Sequence, residues 1–411
     1  MPPIAAAQGR PSLLLEAKTG DIALRPGGAD TQVWSLQGIP APLKRGDELE
    51  ITVQNELPVP TVLNWRGIDG VPTAEPLVTR APLSPAAKET FVVPMRHAGT
   101  FMGDLRLLGD GQARPSPVRA LVVQESERVS VDRDEVLLIE DWRLRPDGTA
   151  IAPGIDPKDT IPLYTINGRT TLDISARTNE RLRLRFINGF QRNVIAIKIE
   201  KHDVRVMALD GQPAEPFLAR NGTFVLAPGS RIDAFVDVTA PSGSTASILL
   251  HDGTEARPIA RMVISNEPPI RNEPLAAAPA LPSNGLPAQL DLKNALRFDL
   301  TLGGPQTDWV MPAAFASSAA PAFRARIGRT VVLALTNRAD TTTVFNLHGH
   351  HFRLLDRQDD GWKPFWLDTL AIESRQTQRI AFAAEHPGRW LVESMATDWT
   401  APRLVRWYSV E

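Results

Sequence analysis

One short pattern, met three times, constrains the fold of this chain more than any other feature. It runs Asp47-Glu48-Leu49-Glu50-Ile51-Thr52-Val53-Gln54-Asn55, recurs over residues 179–188 as NERLRLRFIN, and returns over residues 328–337 as GRTVVLALTN. Each copy opens on a small or turn-forming residue, alternates through its centre and closes on asparagine. In the first copy Leu49, Ile51 and Val53 fall on one side, and Glu50, Thr52 and Gln54 on the other. That period of two is the signature of a half-buried strand. The closing residues Asn55, Asn188 and Asn337 lie 133 and 149 residues apart. Such spacings suit whole β-sandwich domains and not the short units of a solenoid.

A second repeat points the same way. Residues 91–101 end in His97-Ala98-Gly99-Thr100-Phe101, and residues 380–390 end in His386-Pro387-Gly388-Arg389-Trp390. The first and third units therefore read as copies of one sandwich, with the strand 231–238 (RIDAFVDV) in the equivalent place of the middle unit. Residues 124–133 are a short polar crossing. Residues 266–289 carry Pro268, Pro269, Pro274, Pro279, Pro282 and Pro287 beside an alanine run, the composition of a stiff, extended linker. With 36 prolines and 28 glycines spread along 411 residues, the expected fold class is all-β. The expected organisation is three Greek-key β-sandwich domains at 10–125, 126–266 and 290–411, with the linker at 267–289 and no long helix.

Composition removes several functions. Cysteine is absent, which excludes disulfides, thiolate zinc sites and cysteine nucleophiles, and also a blue copper centre of the usual kind, which needs a cysteine sulfur. The net charge is -2 without a basic block, so neither nucleic acid nor an anionic membrane is the expected partner. No apolar run approaches the roughly 20 residues of a spanning helix, so no transmembrane segment is expected. Residues 1–10 show no leader pattern. There is no G-x-S-x-G, no P-loop and no H-E-x-x-H. The aromatic pieces 362–366 and 399–402 are expected as packing rather than exposed patches.

The richest histidine cluster is Thr343-Val344-Phe345-Asn346-Leu347-His348-Gly349-His350-His351-Phe352, with three of the seven histidines. It resembles the H-P-x-H-L-H-G-H-x-F copper motif of the multicopper oxidases. Further stretches resemble that family in its own order: Trp65-Arg66-Gly67-Ile68-Asp69-Gly70-Val71-Pro72, Ala98-Gly99-Thr100-Phe101, Glu140-Asp141-Trp142, Ile166-Asn167-Gly168, Leu209-Asp210-Gly211, residues 227–233 and Leu367-Asp368-Thr369-Leu370. The resemblance covers nearly the whole chain and implies three cupredoxin domains in laccase-like order.

The resemblance also assigns the family's ligand positions, one by one. Asn64 and Arg66 stand at the first histidine pair, and Asp104 and Arg106 at the second. Thr343 stands at the type 1 histidine and Asn346 at a cluster histidine, while His348 is retained. Glu393, Ser394 and Met395 replace the His-Cys-His bridge, with Trp399 at the next histidine and Leu404 at the axial methionine. Nine of the ten ligand histidines and the cysteine are therefore replaced. Ser394 cannot serve as a soft ligand. Arg66 and Arg106 would set fixed charges beside any cation and are expected to pair with Asp104 and Glu393.

His348 and His350 lie two apart on an expected strand and share a face, with His351 pointing away. They read either as a residual metal site completed by a carboxylate or as packed, hydrogen-bonded structural residues. His97 and His386 read as structural turn residues; His202 and His251 are isolated. No catalytic or cofactor-binding side chain is expected, and no metal. The resulting expectation is a copper-free multicopper-oxidase-like protein that takes no cofactor and is periplasmic or exported. It would serve as a non-catalytic scaffold with a protein partner in the cell envelope. In this it is similar to a bacterial cell-division relative of the family, and a cell-division or stress role is implied. The alternative is a multicopper-oxidase-type oxidoreductase with a reduced copper site around His348 and His350. A third reading places a new anion site between Arg66 and Arg106, beside Asp104 and Glu393, and requires an open pocket there.

Overall fold

The computed structural model describes residues 10–25, 27–304, 308–356 and 361–411. The leader reading on residues 1–10 falls almost wholly outside them. The described residues form three β-sandwiches, and each repeated pattern is the central strand of one sheet. Glu48–Asn55 lies between Ser12–Ile22, which is parallel to it, and Lys88–Pro94, which is antiparallel. Arg181–Asn188 lies likewise between Arg133–Leu144 and Arg231–Asp237, and Thr330–Asn337 between Leu296–Leu302 and Thr377–Ala383. Three copies of one sequence pattern thus hold three copies of one place, which is the topology the repeat predicts.

The opposing sheets close each sandwich. In the first domain the strand order is Leu43–Lys44, Arg119–Gln124, Gly99–Asp104, Asn64–Arg66; in the third, Arg324–Ala325, Arg403–Val410, Gly388–Ala396, Thr343–Leu347, Thr369–Ile372. Leu49, Ile51 and Val53 are buried, as the alternation demands, in a core with Leu13, Leu15, Val93, Phe101 and Leu121. The middle and third domains have equivalent cores around Leu182, Leu184 and Phe186, and around Val331, Leu333 and Leu335. Helices among the described residues are single 3-10 turns, such as Pro72–Ala74 and Arg106–Leu108. None is long and apolar enough to cross a membrane.

The asparagine that ends each pattern has a physical reason. Asn55, Asn188 and Asn337 are all fully buried, and each makes the same three bonds. The side-chain amide of Asn55 donates to the carbonyls of Val59 (2.9 Å) and Leu83 (2.8 Å), and its Oδ1 accepts the Leu57 N–H (3.0 Å). Asn188 bonds Asn193, Leu226 and Phe190 in the same way, and Asn337 bonds Thr341, Ile372 and Ala339. One side chain therefore satisfies a strand end and the loop that leaves it, where no water can substitute.

The linker 266–289 contains no regular element and is laid down as a strap. Asn284 bonds the backbone N–H and C=O of Ala98 (2.9 and 2.8 Å) and the Gln212 side chain (3.0 Å), tying the first domain to the middle one. Trp366 and Trp399 are buried, and Arg353 stacks 4.6 Å from the Trp366 ring, so the aromatic pieces are packing.

Replacing Asn55 or Asn337 by alanine removes three side-chain-to-backbone bonds from a fully buried position. Each change is expected to lower stability by about 2–4 kcal/mol, read as an earlier urea transition. Thr90→Ala, which removes an exposed Thr52–Thr90 contact, should leave it within about 0.5 kcal/mol.

Candidate metal centre at the domain junction

The positions matched to copper ligands gather where the three sandwiches meet. There Glu393, 2% exposed on the strand Gly388–Ala396, collects four donors. It accepts from Asn64 Nδ2 (3.2 Å), Arg66 Nη2 (3.1 Å), His348 Nε2 (2.8 Å) and Arg403 Nη1. The other nitrogen of His348 meets Glu75 Oε1 at 2.9 Å. Burial by itself would lower the His348 pKa, but Glu75 and Glu393 carry it up to about 9. Burial likewise opposes the charge on Glu393, and Arg66, Arg403 and His348 hold it well below the usual carboxylate range.

The expected pairing is thus half correct. Arg66 does pair with Glu393. Arg106 does not pair with Asp104: Asp104 Oδ1 accepts the backbone N–H of Arg106 (2.8 Å). The Arg106 guanidinium crosses to the middle domain instead, donating to Glu140 Oε1 (3.1 Å) and to the carbonyl of Gly189 (2.6 Å). The reason is position. Arg106 opens a 3-10 turn at the domain surface, where Asp104 has already been used to stop the strand. The cavity beside Arg66, Glu75 and His348 has a volume of about 20 Å³, room for one water and not for an anion. The third reading therefore fails.

The remaining matched positions are also engaged. Thr343 Oγ1 donates to Asn337 Oδ1 (3.0 Å), and Asn346 Nδ2 donates to the Asp368 carbonyl (3.0 Å) and to Thr369 Oγ1 (2.9 Å). Met395 Sδ lies 3.1 Å from Arg192 Nη1, Ser394 and Trp399 are buried, and Leu404 packs on the third core. The His350 ring meets neither of the carboxylates that hold the His348 ring. Its Nδ1 donates to Tyr408 Oη (2.7 Å), which in turn donates to the His348 carbonyl (2.6 Å), and its Nε2 accepts the His386 N–H (3.2 Å). Burial holds His350 down at about 3, hence neutral. Cations and satisfied imidazoles at these places do not fit a copper ion.

A different group does converge. Asp69, His97 and His351 offer one ligand atom each, all within 4.8 Å of one another, and all three side chains are buried. His351 Nδ1 meets Asp69 Oδ2 at 2.6 Å, and its Nε2 meets the Asp210 carbonyl at 2.9 Å. Both nitrogens therefore donate, and although burial opposes the charge, Asp69 lifts His351 to about 9. His97 Nδ1 lies 3.9 Å from the same carboxylate oxygen and accepts from Gln212 Nε2 (2.9 Å). Burial pushes His97 down to about 4, leaving a neutral lone pair. Two imidazoles and a carboxylate suit a first-row divalent ion, which would displace the His351 proton and the Gln212 bond.

The sequence reading missed this group. It treated His97 as a turn residue and Asp69 only as part of a motif. The expected strand stops at Leu347, and His348, His350 and His351 sit on the turn that follows, where Gly349 takes a φ of 75°, so faces of a strand do not describe them. The one usable signal was His351 itself, next to His350 in the motif.

The fold and this junction define a three-domain cupredoxin protein. The chain belongs to the multicopper oxidase family: models described as multicopper oxidase match residues 22–102, 133–248 and 289–411. It is similar to multicopper oxidase MmcO of Mycobacterium tuberculosis, with 25% identity over 86% of this chain and 78% of that protein. Laccase-1 of Thanatephorus cucumeris matches at 27% over 54% of this chain and 43% of its own length. A multicopper oxidase from Pseudomonas thermotolerans superposes with a TM-score of 0.82 at 25% identity, covering 97% and 99% of the two chains. Lac15 from a marine microbial metagenome (TM-score 0.79, 22% identity, 97% and 99% coverage) supports the fold alone.

This membership overturns the expectation of a protein without a cofactor. That expectation rested on counting ligands at the family's own positions. The family is one of copper proteins, and the junction holds a buried histidine–carboxylate group which that count did not include.

Two measurements test the network. Glu393→Gln leaves Arg66, Arg403 and His348 facing a neutral amide, and should cost about 3–5 kcal/mol in chemical unfolding. His348, raised from 6.5 to about 9, binds its proton more tightly in the folded state. Its contribution is full below pH 6.5 and disappears as pH rises through 9. Melting temperature in EDTA should therefore fall across that window, and His348→Gln should flatten the fall.

Proposed function

We propose that the protein is an oxidoreductase of multicopper-oxidase type with a reduced metal complement: a single transition ion, copper by family, held by Asp69, His97 and His351. The observation that carries this reading is the convergence of those three buried side chains. A bound copper would supply one-electron redox chemistry. The chain's own residues would hold it. Asp69 brings the anionic charge, His97 a neutral lone pair, and His351 a second imidazole once its proton has left. Asp210 and Gln212 of the middle domain stand behind the two rings. The site moves accordingly from His348 and His350, both of whose nitrogens are engaged, to His351.

A second reading keeps one specific observation in its favour. The ion pairs around Glu393 close the space between the domains, which suits an exported, non-catalytic scaffold that binds a protein partner in the cell envelope through its surface.

Metal analysis separates the two. After incubation with copper and dialysis, the protein should carry about one equivalent, lost in His97→Ala and in His351→Ala and kept in His348→Ala. Oxygen uptake with a phenolic or cuprous donor should follow the bound copper. Metal content that survives both junction variants would overturn the site, and copper bound without oxygen uptake would favour the scaffold reading.

A further inference from the structure

The middle domain carries a second feature that neither the family nor the junction uses. Between the end of the strand Ile195–Ile199 and the start of Val204–Leu209 lies a half-open cavity of about 640 Å³. Phe235 of the neighbouring strand forms part of its wall, and Pro274 and Ala278 of the linker close one side. Four cationic side chains line it, Arg181, Lys198, Lys201 and Arg205, against two carboxylates, Asp203 and Asp237. The chain as a whole has a net charge of -2, so this excess of positive charge is local.

Two of the four cations are already engaged. Arg181 is held by Asp237 at 2.6 and 2.9 Å, and Lys201 reaches the Thr245 carbonyl at 3.1 Å. Lys198 and Arg205 make no side-chain hydrogen bond or ion pair among the described residues. Like charges gathered around a concave wall, with two of them free, raise the local concentration of small anions.

His202 adds a second, independent observation. It lines the same cavity and is 7% exposed. Its Nδ1 donates to the Glu200 carbonyl at 2.9 Å, while its Nε2 is buried without a partner. An orphaned buried nitrogen is uncommon and costs stability unless something else satisfies it. Burial holds this imidazole neutral. With Nδ1 carrying the proton, Nε2 is an acceptor. The complement of an acceptor beside cations is a hydroxyl on an anion.

We propose that this cavity is a binding site for a small hydroxylated oxyanion, a hydroxy-polycarboxylate or a phosphorylated sugar. Lys198 and Arg205 engage the charge, and His202 accepts the hydroxyl. The site is separate from the metal group and stands or falls independently of it.

Calorimetric titration of the full chain at matched ionic strength tests the assignment, with citrate, tricarballylate (citrate without its hydroxyl) and glucose 6-phosphate as probes. Glucose 6-phosphate is the arm that does not chelate metal. Saturable binding of citrate or of glucose 6-phosphate is expected, and which of them binds more tightly distinguishes a carboxylate from a phosphate ligand. The double variant Lys198→Glu, Arg205→Glu should weaken binding by about ten-fold or more. Both positions lie at the cavity rim rather than in a core, and an unchanged melting temperature without ligand certifies that the variant is folded. Lys88→Glu, on the first domain, should leave affinity unchanged. Citrate should exceed tricarballylate by about ten-fold, and His202→Phe should abolish that preference. No saturable heat with any probe, or the same affinity in the double variant, would overturn the site. Equal affinity for citrate and tricarballylate would remove the hydroxyl from the ligand class.

Discussion

Charge taken out of water at the domain junction is the constraint on which the rest of this structure depends. Asp233 receives Arg183 Nη2 at 2.6 Å, Arg185 Nη1 at 2.9 Å and Thr100 Oγ1 at 2.6 Å, so one middle-domain carboxylate also holds the first domain. Arg231 donates to both oxygens of Asp368 in the third domain, at 3.0 and 2.6 Å. Glu393 gathers Arg66 from the first domain and Arg403 and His348 from the third. Such pairs add little net stability over an apolar interface, but each becomes costly when one member is lost. They therefore fix how the sandwiches sit together more than how firmly each one folds. The metal group lies inside the same junction and inherits its geometry from it.

The pH behaviour of the junction follows from this arrangement. His348 and His351 are held protonated by carboxylates, whereas His97 and His350 are held neutral by burial among other cations and imidazoles. Four histidines in one region thus take two protonation states at neutral pH. The difference comes from whether a carboxylate lies within hydrogen-bond reach.

Much of the fold was legible in the chain. The alternation of Leu49, Ile51 and Val53, its two further copies and the closing asparagines determined three equivalent strands. Period and burial are local properties of a strand. The same reading was weaker for residues 179–188. Alternation there would leave Arg181, Arg183 and Arg185 facing solvent, yet every residue of Arg181–Asn188 is buried. The polar face of that strand lies against neighbouring carboxylates and the linker, not water. A pattern of periods cannot distinguish a solvated polar face from one that is buried and paired.

Motif order told from sequence alone that three cupredoxin domains are present, and the composition that none of them holds a cysteine. They could not tell which side chains meet. Asp69 and His351 stand 282 positions apart yet lie 2.6 Å from one another, and Arg106 finds Glu140 rather than the nearby Asp104. The ligand motif drew attention to His348 and His350, but His348 is held between Glu75 of the first domain and Glu393 of the third, and His350 between Tyr408 and the His386 N–H. His351, in the turn after the strand Thr343–Leu347, reaches Asp69 of the first domain and Asp210 of the middle one. Strand periodicity sets the face on which a residue lies; only the docking of the three sandwiches decides what that face meets, because the partners come from separate domains and no local pattern encodes their relative placement.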